Sequence, residues 1–176
     1  KVYSTYKDNA KVQFLAVNIP EIAPGNNVSV LGGESLPVDQ VAFMAGYISA
    51  MITDDFFQVG AILRKDTPEA PLIRSAFEAG RTYYCGICRP LGGYTPFEYP
   101  AFVEIPADAK PSEYNAYSDA LILQKKVTTI FLQAGSDTPD LIKYLSTVGV
   151  LAIGTQTPAK TYSNWVVTLQ PDYLAA

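Results

Sequence analysis

The stretch DQVAFMAGYISAMIT, residues 39–53, is closely followed by QVGAIL, residues 58–63, and this junction decides the fold. In the first segment apolar side chains recur at helical spacing and cover nearly the whole circumference, so we expect a helix that is packed on more than one side. The second segment is a short apolar run of strand length. A buried helix that leads into a central strand is typical of the joint between two α/β lobes.

Strands and helices alternate along the rest of the chain. The apolar runs are short and bounded by Gly, Pro, Asn or Asp, and the intervening segments have helical periodicity with capping residues at their starts. This succession predicts an α/β fold of three α-β-α layers with a mainly parallel sheet and right-handed crossovers. The predicted strands are 12–17, 28–31, 58–63, 101–105, 128–132, 150–153 and 165–169, and the further helices are 71–79, ended by Gly80, 112–124 and 138–145.

Composition excludes several classes of function. The chain has 176 residues, enough for one domain with a sizeable core or for two small lobes. Its net charge of −4 and the lack of any Lys/Arg cluster exclude a nucleic-acid partner. The absence of histidine excludes Ser-His-Asp and Cys-His catalysis, and two cysteines are too few for a four-cysteine zinc site. We therefore predict neither a metal nor a cofactor.

Polar loop residues follow three of the predicted strands. In open parallel sheets, ligands bind beyond the carboxyl ends of the strands, where N–H groups of the following helices point outward. The loop before residue 139 is equally suited to capping the next helix, since Thr138-Pro139 is a typical helix start, and the two roles are compatible. The predicted contacts to a small polar solute are Asp66, Thr67, Gly135, Ser136, Asp137, Gly154, Thr155 and Gln156.

The only two cysteines form the CxxC sequence of Cys85 and Cys88. A CxxC pair is a thiol–disulfide centre when it lies at a helix N-terminus, where the dipole lowers the thiol pKa. Here the pair follows Gly80, the predicted helix end, so we place it in a loop or short strand. A small structural disulfide in an oxidising compartment is the favoured interpretation over redox activity. Free thiols in a cytosolic protein are the remaining alternative.

The order of several short motifs resembles a known family. AFMAGYISA (42–50), QVGAIL (58–63) and PLIRSAFEAG (71–80) are similar to the helix, strand and Pro-to-FEAG helix of the basic membrane protein family of solute-binding lipoproteins, which has the type I periplasmic-binding-protein fold. TTIFLQAGSDTPDLIKYL (128–145) and VGVLAIGTQ (148–156) resemble the family's next two units. The likeness extends from residue 12 to residue 169, and its motifs are specific only when taken in sequence.

This resemblance implies an extracytoplasmic receptor, periplasmic or at the cell surface and held by an N-terminal lipid, that closes two lobes on a small polar solute and delivers it to an ABC permease. Residues 1–37 would then be a remnant of the first lobe, without the family's N-terminal part, and 38–57 the crossover helix. The second α/β lobe would be 58–163, and 164–176 a strand and tail that return toward the first lobe.

The chain departs from the family at places that matter for the ligand. Nucleoside binders of the family carry an acidic residue where this chain has Gly154-Thr155-Gln156, and a lysine near the final strand where it has Gln170-Pro171. The resemblance therefore does not imply a nucleoside. Arg64-Lys65 replaces the family's glycine pair ahead of Asp66, so we expect a more polar pocket that tolerates anions.

Two other functions stay open. The same fold serves sensory or regulatory ligand-binding modules, because a fold alone does not determine function. An enzyme would have to use carboxylates, lysines or the thiols of Cys85 and Cys88, and no two such residues form a recognisable catalytic signature. We therefore predict a protein that is not an enzyme.

Overall fold

A computed structural model of the chain describes residues 11–17, 25–31, 38–53, 58–65, 67–86 and 98–170. The contacts divide the chain into two units, residues 1–37 with 171–176, and residues 38–170. In the first unit, strands β1 (Phe14–Val17) and β2 (Val28–Leu31) pair in parallel, with Phe14 opposite Val28. Ala16 and Val28 are its buried apolar residues among those described.

The second unit is built on a five-stranded parallel sheet. The strand order is β4-β3-β5-β6-β7, and every neighbouring pair is parallel. The central strands are apolar except at Arg64 and Thr129, as is usual where both faces of a sheet are covered. Their bounds are β3 Val59–Arg64, β4 Ala101–Ile105, β5 Thr129–Leu132, β6 Leu151–Gly154 and β7 Trp165–Thr168.

Helices connect these strands. The segment that was predicted as one helix over 112–124 consists of a 3₁₀ turn, a short α-helix and a π-helical turn in succession. No described helix is long and apolar enough to span a bilayer. The α-helices are α1 Val38–Ile52, α2 Ala70–Cys85, α3 Tyr114–Asp119 and α4 Pro139–Thr147, and the turns around α3 are Pro111–Glu113 and Ala120–Gln124.

Two separate cores lie on the two faces of the sheet. Alternate residues of β3 point to opposite faces, so Ala61 and Leu63 belong to the core under α1 and α2, whereas Ile62 belongs to the core under α3 and α4. Phe77 of α2 and Phe131 of β5 are the largest side chains of the first core, and Leu121 and Leu141 fill the second. The predicted three-layer α/β fold is thus confirmed, and it is consistent with the type I periplasmic-binding-protein-like fold.

Two glycines determine how closely α1 and α2 approach. A Cβ atom on Gly46 would collide with the backbone carbonyl of Phe77, and one on Gly80 would collide with the backbone carbonyl of Phe43. Each helix therefore presents a glycine to the backbone of the other. The predicted helix end at Gly80 is wrong for this reason: Gly80 is a contact residue inside α2, which continues to Cys85. The helix ends at Gly86, which has φ +64° and donates its N–H to the Thr82 carbonyl at 2.8 Å.

Helix α1 buries its small residues and exposes its two methionines. Ala42, Ala45 and Ser49 are buried, while Met44 and Met51 are 44% and 48% exposed. As expected, α1 is packed on more than one side, against α2 and against the sheet, while its edge at Met44 and Met51 is exposed. The small residues are inside because only they allow the close approach to α2.

Candidate functional site

The connections of β3 and β5 diverge at the carboxyl edge of the sheet. Helix α2, which follows β3, packs on one face, and α4, which follows β5, packs on the other. These two strands are neighbours in the sheet. Such a switch point opens a crevice where ligands bind in open α/β sheets.

Gln133, the first residue after β5, occupies this crevice. Its side chain is 7% exposed, its Oε1 accepts from the Arg64 N–H at 2.7 Å, and its Nε2 donates to Thr67 Oγ1 at 3.0 Å. Thr67 in turn donates to the Arg64 carbonyl at 2.9 Å. Thr67, a predicted site residue, therefore belongs to a network that ties β3 to β5. Gln133 was not predicted, although a polar residue directly after a buried strand is the signal that could have identified it.

Ser136 is fully buried beneath the same crevice. Its hydroxyl donates to the Gln133 carbonyl at 2.7 Å and lies 3.4 Å from the Ile62 carbonyl. Its backbone N–H also donates to the Gln133 carbonyl, at 2.9 Å. The Ser136 hydroxyl is thus hydrogen-bonded to the main chain. It stabilises the turn after β5, and Asp137, which follows it, contacts the loop after β6.

Asp137 joins the loop after β5 to the loop after β6. One carboxylate oxygen accepts from the Gly135 N–H at 3.2 Å, and Thr155 Oγ1 donates to the other at 3.5 Å. Gly135 has φ +84°, a conformation that glycine adopts without strain, and this turns its N–H toward the carboxylate. Four predicted site residues, Gly135, Asp137, Thr155 and Gln156, are therefore brought together.

Burial raises the pKa of the Asp137 carboxyl above its ordinary value. Hydrogen bonds from its own N–H, from the N–H groups of Gly135 and Gln156 and from the Thr155 hydroxyl lower the pKa in part, but desolvation is the larger effect. The carboxylate is half-buried, and no described cation forms an ion pair with it. The Asp137 carboxylate is thus partly desolvated, and its hydrogen bonds hold it in one orientation.

Gly154 provides room for an aromatic ring. A Cβ atom there would run into the indole of Trp165, whose Nε1 donates to Thr168 Oγ1 at 3.0 Å. The Leu169 N–H donates to the Gly154 carbonyl at 2.9 Å. Gly154 therefore serves the packing of β7 on β6, next to the loop that carries Thr155 and Gln156.

An open cavity lies beside this loop pair. It has a volume of about 480 Å³ and lies between α4 and the connection from β6 to β7. Asp137 and Gln156 are the predicted site residues that line it. The other lining residues are Pro139, Asp140, Ile142, Lys143, Thr157, Pro158, Ala159, Lys160 and Tyr162.

Thr138 is the N-cap of α4. It has extended backbone angles, φ −71° and ψ 148°, and its hydroxyl accepts from the Leu141 N–H at 3.3 Å. Thr138→Ala should lower the free energy of unfolding by about 1 kcal/mol, the usual cost of losing such a cap. Urea denaturation measures this, with Thr147→Ala at the exposed end of the same helix as the control. Equal losses in the two variants would contradict a capping role.

Two of the predicted residues, Asp66 and Cys88, lie outside the described residues. Cys85 is the last residue of α2 and is disulfide-bonded. The placement of Cys85 in a loop or strand is corrected by this, since α2 continues past Gly80. Its pairing with Cys88 stays a prediction. Within the described ranges, no group of His, Cys, Asp and Glu is arranged to hold a metal ion.

Comparison of this sequence with known protein families and with curated proteins finds no match. The resemblance to the basic membrane protein family therefore stays an expectation.

Proposed function

We propose that this chain is a solute-binding protein of an ABC-type uptake system, and that it binds a small polar molecule at the carboxyl edge of the second unit's sheet. The observation that carries the proposal is Asp137, a half-buried carboxylate that is held by Gly135 and Thr155 and faces a cavity of about 480 Å³. Polar groups that converge on a preformed cavity of this size are typical of small-molecule sites.

The order of the elements supports the same proposal. The cavity lies after β5 and β6, at the carboxyl edge where open α/β sheets bind ligands, and Asp137 ties together the two loops that form it. A site whose polar groups are already oriented loses less entropy when a solute binds. In the proposed role, the permease in the membrane is the macromolecular partner, and the protein acts outside the cytoplasm, held by an N-terminal lipid.

A binding role is favoured over a thiol-dependent enzyme by the position of Cys85. It ends α2, whereas reactive CxxC thiols lie at helix N-termini, where the dipole stabilises the thiolate. Its sulfur is also engaged in a disulfide. We therefore propose a structural role for this cysteine and no catalytic role for the protein.

A thermal-shift screen of the whole gene product with amino acids, sugars, nucleosides and carboxylic acids tests the function. At a concentration of about 100 Kd, a bound solute adds about 2.7 kcal/mol of stability, which raises Tm by roughly 5–10 °C. Asp137→Asn should weaken that solute at least roughly tenfold, because it removes the fixed charge. Asp108→Asn, at an exposed position outside the cavity, should leave the affinity unchanged.

Two results would overturn the proposal. One is a screen in which no compound of any class raises Tm. The other is a solute whose affinity is the same for the wild type and for Asp137→Asn, which would place its site elsewhere. A solute that binds at Asp137 but does not accumulate in cells would favour the sensory module of the same fold over transport.

A further inference from the structure

The cavity beside Asp137 carries charges of both signs. Asp137 and Asp140 supply two carboxylates at the start of α4, and Lys143 and Lys160 supply two ammonium groups, one from the next turn of α4 and one from the connection between β6 and β7. Opposite charges that line one cavity either pair with each other or are available to a ligand. Which of these holds decides the chemistry of the solute.

These charges do not pair with each other. Among the described residues the ion pair is that of Arg74 and Glu104, at 2.7 Å, which lies on α2 and β4 away from the cavity. Lys143, Lys160 and Asp140 are exposed and make no ion pair with any described residue. The charged groups of these three lining residues are therefore not engaged in ion pairs with the described residues.

The charges also differ in how firmly they are placed. Asp137 is held by the Gly135 N–H and the Thr155 hydroxyl and is partly withdrawn from water, so it is the fixed reference point of the site. A partly desolvated carboxylate attracts a cation more strongly than an exposed one, because water screens the charge less. The two lysines are long and solvated, so they can adjust to an acid group at a short distance from that cation.

Building on the proposed function, we infer that the solute is a zwitterion of the α-amino-acid type, with its ammonium group toward Asp137 and Asp140 and its acid group toward Lys143 and Lys160. A zwitterion meets an opposite charge at each pair, whereas a solute of one charge would be repelled by one of the two pairs. The remaining wall includes Ile142 and Pro158, which suit a small apolar side chain.

Three matched probes test each end of this ligand: a free L-amino acid, its amide, which lacks the carboxylate, and its N-acetyl derivative, which lacks the ammonium group. Calorimetry on the whole protein should show at least one amino acid that binds, with the amide and the N-acetyl derivative each at least roughly tenfold weaker, since each has lost one charged contact. The amino acid is chosen by screening the twenty protein amino acids singly.

Variants assign each end of the probe to its partner. In the double variant Asp137→Asn, Asp140→Asn the amino acid and its N-acetyl derivative should bind with similar affinity, while the amide stays weaker. In the double variant Lys143→Met, Lys160→Met the amino acid and its amide should bind with similar affinity, while the N-acetyl derivative stays weaker. Lys110→Met, an exposed lysine outside the cavity, is the matched control and should keep the full discrimination. This pattern separates contact with the solute from a general loss of stability.

The outcomes distinguish this inference from the function on which it rests. If a sugar or nucleoside binds and no amino acid does, the solute class is wrong but the binding function stands. If an amino acid binds and both derivatives bind equally well, the charged ends are not recognised and the inference fails. If no probe of any class binds, both fail.

Discussion

Phe77→Ala is expected to lower the free energy of unfolding by about 3–5 kcal/mol, the range found when large aromatic side chains are removed from a core. Phe77 has no exposed surface, and its ring lies 6.0 Å from the ring of Phe131, nearly parallel to it, and 6.0 Å from that of Phe102, edge-on. It thus connects α2 to two strands of the sheet. The alanine variant leaves a cavity that the sheet cannot collapse to fill, since β4 and β5 are both held in place by hydrogen bonds to β3.

Guanidinium chloride denaturation, with the midpoint and slope measured separately, checks this prediction. Leu72→Ala is the matched control on the same helix, because Leu72 is 50% exposed and should lose well under about 1 kcal/mol. A similar loss for both variants would mean that α2 is not packed on the sheet as described. A large fall in the slope for Phe77→Ala would indicate that the variant unfolds in more than one step.

Gly46→Ala and Gly80→Ala are each expected to destabilise the protein by about 1–3 kcal/mol or more, the cost of overpacking a tight contact. Helix propensity alone predicts the opposite sign, because alanine is favoured over glycine inside a helix by about 1 kcal/mol. The added methyl group would meet backbone atoms of the facing helix, which cannot rotate away as a side chain can. The helices would have to separate along their whole contact.

Ala79→Gly is the informative comparison, since residue 79 is exposed and directly precedes Gly80. It should cost about 0.5–1 kcal/mol, because a glycine in a helix interior is destabilising. Adding a methyl group at residue 80 and removing one at residue 79 should therefore both destabilise. Stabilisation by Gly80→Ala would show that the two backbones are not in contact.

The elements were predictable because their signals are local. Helix α1 has a continuous apolar helical pattern, and β3 and β5 are short apolar runs with polar residues at their ends, so their bounds came within two residues of those observed. The three layers follow from the alternation of such elements.

The features that were predicted wrongly depend on contacts between residues that are far apart in the sequence. Gly80 has the properties of a helix end, and only the presence of Phe43 opposite it makes it a contact residue. The glycine that does end the helix, Gly86, differs in that no atom of the described residues lies within 4 Å of its Cβ position.

The location of the candidate site was predictable from the sequence, but the role of each residue in it was not. The rule for open sheets indicated the loops after β3, β5 and β6, and Asp137 and Gln156 line the cavity there. The rule does not tell which side chains turn inward, so the buried position of Ser136 could not be derived from the sequence, whereas Gln133 could have been noticed from its place directly after a buried strand. Lys143 and Lys160 were missed because they follow no strand directly.

The close approach of α1 and α2 at Gly46 and Gly80 also bears on what the family-like motifs mean. AFMAGYISA contains Gly46, and PLIRSAFEAG contains Gly80. The glycines in the motifs that resemble the family are thus required for the close backbone contact of α1 and α2, and they do not line the cavity. Chains that share these motifs would inherit a common framework while remaining free to diverge in the molecule they take up.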